Sequence, residues 1–256
     1  MRLAALTTSL LLAVAVVMPA RAASVALVLA VDVSGSVSPG RYRLQHDGIA
    51  RAFESPQLIK AIDHVPGGIE ALVMEWSDPD KIAITVGWTR IANRASALAF
   101  AAAVQATHRT SGGLTAIGSA MLAAGAAFEH MPEPAHRRII DVSGDGSANF
   151  GTPPAEARDA LVKRGITING LAILTEEPNL DDYYRKNVIG GPGAFVLVAH
   201  DMSVFASAIQ SKLVTEVADL VPPAAGSVGN SRGAGAPCRA RASAFRCRLG
   251  RPRAAG

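Results

Sequence analysis

Cysteine is nearly absent from this chain. There are two in 256 residues, Cys238 and Cys247, both close to the C-terminus. That excludes a disulfide-stapled scaffold, and nothing in the chain has the spacing of a zinc site. Aromatic residues are scarce at 5%, and the 24 glycines follow no triplet period, which excludes a collagen-like chain. Beyond the first 23 residues no apolar run reaches the roughly 20 residues that a membrane-spanning helix needs. Acidic residues are missing from residues 222–256, which carry Arg232, Arg239, Arg241, Arg246, Arg248, Arg251 and Arg253. With 49% hydrophobic residues the chain can still bury a sizeable core, so it is not disordered throughout.

The two ends read differently from the middle. Arg2, the uncharged apolar run Leu3–Val17 and the small-x-small sequence Ala20-Arg21-Ala22 form the pattern of a cleaved export signal over residues 1–22. Residues 222–256 are rich in Pro, Ala, Gly, Ser and Arg, a composition that predicts disorder. An electrostatic tether to lipid or nucleic acid is one reading of this tail, and a solvated extension is the preferred one. A Cys238–Cys247 disulfide would close only a small loop. The formal net charge of +4 belongs to these ends. Removing the seven tail arginines, Arg2 and Arg21 from the 25 basic residues leaves 16 against 21 acidic ones, a net of −5. A nucleic-acid partner is therefore not expected, nor is a membrane span once the signal is cleaved.

Residues 23–221 alternate between strand and helix signals. Ser24–Val31 is a short continuous apolar run of the kind buried on both faces of a sheet. Ser38-Pro39 opens a helix to about Phe53. Ile69–Trp76 and Lys81–Trp88 read as a hairpin turning at Ser77-Asp78-Pro79-Asp80. Helices follow at Ala95–Gln105, Ala116–Phe128 and Pro153–Lys163. Strands follow at Arg138–Val142, Ile166–Leu174 and Ala194–Val198. Asp201 caps a last helix reaching Ala218. This order predicts one α/β domain: a doubly wound, mostly parallel central sheet with one antiparallel edge strand and helices on both faces. Ligands of such sheets bind beyond the carboxyl ends of the strands, where the strand order reverses.

Three loops at such positions carry oxygen side chains. They are Asp32-Val33-Ser34-Gly35-Ser36, the glycine-rich turn holding Thr115, and Gly144-Asp145-Gly146. Asp32, Ser34, Ser36, Thr115 and Asp145 offer only hard oxygen, which suits Mg²⁺, or Mn²⁺ or Ca²⁺, with a coordination position left for another carboxylate. D-x-S-x-S alone is a weak signal, because a strand-end Asp followed by helix-capping serines produces it too. Its position together with the other two loops makes it strong. Asp141 competes with Asp145, but it falls inside a strand and would point into a sheet face. Asn149 is a candidate for the rim or a plain turn residue. The Tyr183-Tyr184 to Gly193 segment reads equally as a binding loop or as a connection into the last strand.

This pattern resembles the von Willebrand factor type A domain with its metal-ion-dependent adhesion site (MIDAS), a Rossmann-like fold. The stretches VDVSGSVSPGRYRLQHDGIARAF, RRIIDVSGDGSANFG, ITINGLAIL, YYRKNVIGGPGAF and FASAIQSKLVTEVA further resemble an uncharacterised family of secreted bacterial proteins over residues 25–219. The resemblance implies that Ser34, Ser36 and Thr115 bind the metal directly and that Asp32 and Asp145 act mainly through water. That family tends to have Pro-Asn-Asn where this chain has Ser147-Ala148-Asn149, and the arginine-rich tail has no recognised counterpart.

No catalytic constellation is convincing. A phosphoryl-accepting Asp32 would want a second acid where Ser34 stands and a lysine at one of the loops, and the sequence places none beside them. No G-x-S-x-G elbow, phosphate loop or dinucleotide fingerprint is present. The six histidines, among them His46 and His108, have no helical metal spacing and read as surface or packed residues. The expectation is an exported, periplasmic or extracellular, metal-dependent protein-binding module. An acidic side chain of a protein partner would complete its metal shell. A metal-dependent hydrolase or phosphatase is the alternative.

Overall fold

β1 (Ala23–Asp32) sorts its side chains by parity. Val25, Leu27, Leu29 and Val31 enter one hydrophobic core, and Ala26, Val28 and Ala30 enter another. A strand apolar on both faces must lie inside a sheet covered on both sides, and the computed structural model, which describes residues 23–218, shows that arrangement. The expected signal, residues 1–22, and the tail, 222–256, with Cys238 and Cys247, lie outside the described residues.

The sheet also contains β2 (Ile69–Trp76), β3 (Ile82–Ile91), β4 (Ala135–Gly144), β5 (Ile166–Ile173) and β6 (Val196–Ala199). Its order is β3-β2-β1-β4-β5-β6, and only the β2–β3 pair is antiparallel. One face carries α1 (Pro39–Glu54), α2 (Pro56–Asp63), α3 (Arg94–Gln105) and α7 (Phe205–Ala218), through Phe53, Leu58, Phe100 and Leu213. The other carries α4 (Ile117–Ala127), α5 (Pro154–Lys163) and α6 (Leu180–Asn187), through Met121, Leu161 and Tyr184. From β1 the chain steps outward to β2 and β3, then returns to β4 and steps outward the other way. The order therefore reverses between β1 and β4, and the crevice beyond their carboxyl ends is the topological switch point. Among the described residues no helix is long and apolar enough to cross a membrane.

The expected elements are present, with ends shifted by up to three residues, and two helices go beyond the reading. α2 follows α1 through Ser55, which ends one helix and caps the next by accepting a hydrogen bond from Leu58 N at 3.2 Å. Eight residues with Pro at the start and Leu58, Ile59 and Ile62 on one face carry too little periodicity to stand out alone. α6 has Asp181 and Asp182 in its first turn and Arg185 and Lys186 in its last, charges that complement the helix dipole. The Tyr183–Gly193 segment is therefore a helix and a connection. Gly190 exchanges backbone hydrogen bonds of 2.8 and 3.1 Å with Ile168 of β5, and Gly191 and Gly193 turn the chain at positive φ. Asp201 caps a 3-10 turn, Met202–Val204, which runs into α7.

Candidate functional site

β1 and β4 end side by side, and each end delivers a carboxylate to the switch point. Asp32 closes β1. Its Oδ1 accepts a 2.7 Å hydrogen bond from Ser34 N, while its Oδ2 is buried without a hydrogen-bond partner. Burial pushes this carboxyl up to about 7, the Ser34 hydrogen bonds oppose the rise and the neighbouring Asp145 adds to it. Asp145 follows β4. Its Oδ1 accepts from Ser36 Oγ at 2.6 Å, and Ser36 Oγ lies 3.3 Å from Ser34 Oγ. Burial raises the Asp145 carboxyl as well, against the pull of Ser36 and Arg41. Two buried acids held above the ordinary carboxylate range, with two hydroxyls between them, form an anionic oxygen cluster that lacks a neutralising charge at its centre.

Gly144 makes this approach feasible. A Cβ there would stand 2.9 Å from Asp32 Oδ2 and 2.8 Å from the Tyr184 hydroxyl, which is also buried and without a hydrogen-bond partner. Only glycine leaves space for both oxygens beside the backbone.

Thr115 reaches the cluster through its neighbours. Gly35 N donates to Gly113 O at 2.8 Å, and the Arg109 guanidinium donates to Val33 O and Ser34 O at 2.6 and 2.8 Å. Those bonds bind the Thr115 loop to the Asp32–Ser36 loop. Asn149 then closes a two-way clasp: Thr115 N donates to Asn149 Oδ1 at 2.9 Å, and Asn149 N donates to Thr115 O at 3.0 Å. Asn149 thus orients Thr115 from the β4 side of the crevice. Asp141 lies four residues earlier in β4, buried under α7 with its Oδ1 2.7 Å from Lys212 Nζ, away from the cluster.

Three features of the rim escaped the sequence reading. Arg41, in the first turn of α1, approaches Asp145 Oδ2 at 3.3 Å, donates to Ser36 O at 3.1 Å and pairs with Glu176. A cation in a helix's first turn opposes the helix dipole, and that was the available signal of a local anionic partner. Glu177 accepts from Ser147 N and Oγ at 2.8 and 3.0 Å, and the Tyr183 hydroxyl accepts from Ala148 N at 3.2 Å. A lysine does approach one loop, which adjacency in sequence did not reveal. Lys81 Nζ lies 3.4 Å from Gly112 O, but its charge is paired with Asp78 at 2.8 Å.

Among the described residues no three His, Cys, Asp or Glu stand at metal-binding distance of one another. A cation here would rest on hydroxyls together with two carboxylates. The residues fit that role. The donor set is all oxygen, and Asp32 Oδ2 is a buried oxygen with its lone pairs unspent.

A family model described as "Protein of unknown function (DUF1194)" matches residues 22–221. No curated protein matches the chain. Among solved structures, the chain is similar to a von Willebrand factor type A protein from Catenulispora acidiphila, at 22% identity and TM-score 0.55 over 78% of this chain and 43% of that one. It is similar to proximal thread matrix protein 1 from the mussel byssus with a zinc-occupied MIDAS motif, at 17% identity and TM-score 0.54 over 78% and 49%. It is also similar to the pilus adhesin SpaC from Lactobacillus rhamnosus GG, at 14% identity and TM-score 0.55 over 78% and 30%. The chain spans about half the length of the mussel protein and less of the other two. At these identities the likeness establishes the fold, that of a von Willebrand factor type A domain.

Proposed function

This chain belongs to the family described as Protein of unknown function (DUF1194) and has the von Willebrand factor type A fold, and from that premise we propose that it is an exported, metal-dependent protein-binding module. The observation that carries the reading is the convergence of Asp32, Ser34, Ser36 and Asp145 around an unpartnered buried carboxylate oxygen at the switch point. The Ser34, Ser36 and Thr115 hydroxyls, with Asp32 and Asp145, are the residues that would hold Mg²⁺, or Mn²⁺ or Ca²⁺. The bound cation supplies an electrophilic position that accepts a carboxylate oxygen from an acidic side chain of the partner.

The chain's own residues prepare that position. Asp32 and Asp145 together would cancel the formal charge of a divalent ion, but acting mainly through water, as the resemblance implies, they would leave it electrophilic enough to accept a third carboxylate. Ser34 N holds Asp32 in place, and Asn149 holds Thr115. Arg41 sits on the outer oxygen of Asp145 and is paired with Glu176 as well, so it ties Asp145 to the rim. The export signal read over residues 1–22 and the adhesin and matrix proteins of the same fold support a site of action outside the cytoplasm, periplasmic or extracellular.

Mn²⁺ is a suitable probe, because electron paramagnetic resonance counts the free ion and water-proton relaxation reports exchangeable ligands on the bound one. The wild type is expected to bind one Mn²⁺, and the doubly substituted Ser34→Ala, Ser36→Ala protein to bind it at least about tenfold more weakly, the equivalent of about 1.4 kcal/mol. An aspartate-bearing peptide should displace water from the bound ion in the wild type. Equal Mn²⁺ affinity of the two proteins would defeat the reading.

A further inference from the structure

A cleft of about 420 Å³ opens beside the proposed metal site, between α1 and the segment that follows α3. Tyr42, Arg43 and His46 line it from α1, and Thr107, His108 and Arg109 line it from the opposite wall. Its floor is a buried polar network. Glu75, at the end of β2, is fully buried and accepts from Tyr42 Oη at 2.9 Å and from Thr110 N and Oγ1 at 2.8 Å each. His46 Nε2 lies 3.1 Å from the same carboxylate, and its Nδ1 faces Tyr42 O at 3.0 Å. Burial pushes the Glu75 carboxyl up, but these hydrogen bonds outweigh it and hold the group below its ordinary value. Its oxygens are taken up by these donors, and the carboxylate itself does not line the cleft.

The walls carry the opposite charge, and it is not spent. Arg109 uses only Nη2, on the Val33 and Ser34 carbonyls, and its Nε is buried without a hydrogen-bond partner. Among the described residues neither Arg109 nor Arg43 has a carboxylate within 4.0 Å; Asp47, also on the cleft wall, does not reach Arg43. Two guanidinium groups and one acid on the lining, beside the Tyr42 ring, suit a ligand with an oxyanion at one end and a small apolar body.

We propose that this cleft is a second ligand site, specific for a small organic oxyanion, and that Arg109 transmits its occupancy to the Asp32–Ser36 loop. The binding part stands on the cleft alone. The transmission part rests on the metal reading above and on three contacts. Arg109 bonds Val33 O and Ser34 O, Gln45 Nε2 donates to Asp32 O at 3.1 Å, and Tyr42 packs with Val33 and Val37. A ligand that draws on Arg109 acts directly on the carbonyls that shape the loop.

Carboxylate and phosphate share the needed chemistry, so the test uses benzoate, phenyl phosphate and neutral benzamide, titrated into the full chain in chelator and followed by NMR. At least one of the two anions should bind and shift the Arg109 Nε–H resonance, and which one binds names the source; benzamide should not. Arg43→Gln, an exposed residue with no hydrogen bond to lose, should weaken anion binding about tenfold and leave the thermal midpoint unchanged. Binding of benzamide as tight as benzoate, or unchanged anion affinity in both Arg43→Gln and Arg109→Gln, overturns the site. With Mn²⁺ as the second ligand, benzoate or phenyl phosphate should change Mn²⁺ affinity by the factor by which Mn²⁺ changes theirs. An unchanged Mn²⁺ affinity overturns the transmission. A protein that binds the anion but no Mn²⁺ defeats the metal reading and leaves the cleft assignment standing.

Discussion

The Lys212 side chain is fully buried, with its ammonium 2.7 Å from Asp141 and 2.6 Å from Glu216. Asn169 donates to Glu216 at 2.5 Å and accepts from Phe195 N at 3.1 Å. Two acids and one base under α7 leave an excess negative charge in a dry place. Burial first, with Glu216 adding and Lys212 opposing, pushes the Asp141 carboxyl up to about 7 from 3.8. The native state therefore holds a proton that the unfolded chain releases across that interval, so stability falls as pH rises from about 4 to about 7. Asp32, also raised to about 7, acts in the same direction. The urea midpoint of the metal-free protein should be higher at pH 5 than at pH 8, and Asp141→Asn should reduce the difference without abolishing it. A midpoint that rises with pH would contradict this account. Lys212 and Glu216, four apart, look in sequence like an ordinary surface helix pair, and only packing of α7 on β4 and β5 buries them. Asp32, Ser34, Ser36, Thr115 and Asp145 stood out in the sequence as candidates because strand ends and turn glycines flank them. Arg41 and Arg109 did not, because their partners stand on other loops.

At the scale of elements, α4 shows how small residues set distances. A Cβ on Gly118 would lie 2.1 Å from the backbone oxygen of Thr152, whereas one on Gly125 would meet the tip of Leu161 at 2.2 Å. The first obstacle is main chain and cannot move aside, while the second is a side chain that can rotate. Gly118→Ala should therefore cost about 1–3 kcal/mol by overpacking. Gly125→Ala should cost less, since the Leu161 tip can move aside and the gain of about 1 kcal/mol in helix propensity then offsets more of the strain. Urea titrations of the two variants compare these directly, and an equal loss would show that the α4 contact with residues 152–153 is not rigid. Because α4 begins just after Thr115, Gly118→Ala also displaces that loop. The hairpin of β2 and β3 and the presence of six strands were readable from apolar runs and turn residues, whereas their order in the sheet was not. α2 and α6, eight residues each, were not, since short helices draw their stability from what they pack against.

For the whole molecule, a ligand that binds only the folded state adds stability by mass action. A divalent ion at about 100 times its dissociation constant adds about 2.7 kcal/mol, which for a domain of this size raises the melting midpoint by about 5–10 °C. Mg²⁺ or Mn²⁺ should produce that shift in the wild type, a chelator should reverse it, and Asp145→Ala should not show it. An identical midpoint with and without the ions at saturating concentration would count against the metal site. The sequence by itself determined the layered α/β architecture, because apolar period and turn chemistry are local and repeat along the chain. It also determined which loops carry oxygen, because strand ends announce themselves. The tertiary structure alone decided that Asp145 meets Ser36 while Asp141 meets Lys212, that Asn149 clasps Thr115, and that Arg109 binds the carbonyls of a loop some 75 positions away. Those pairings depend on strand order and on how far each helix stands from the sheet, quantities that no window of neighbouring residues encodes.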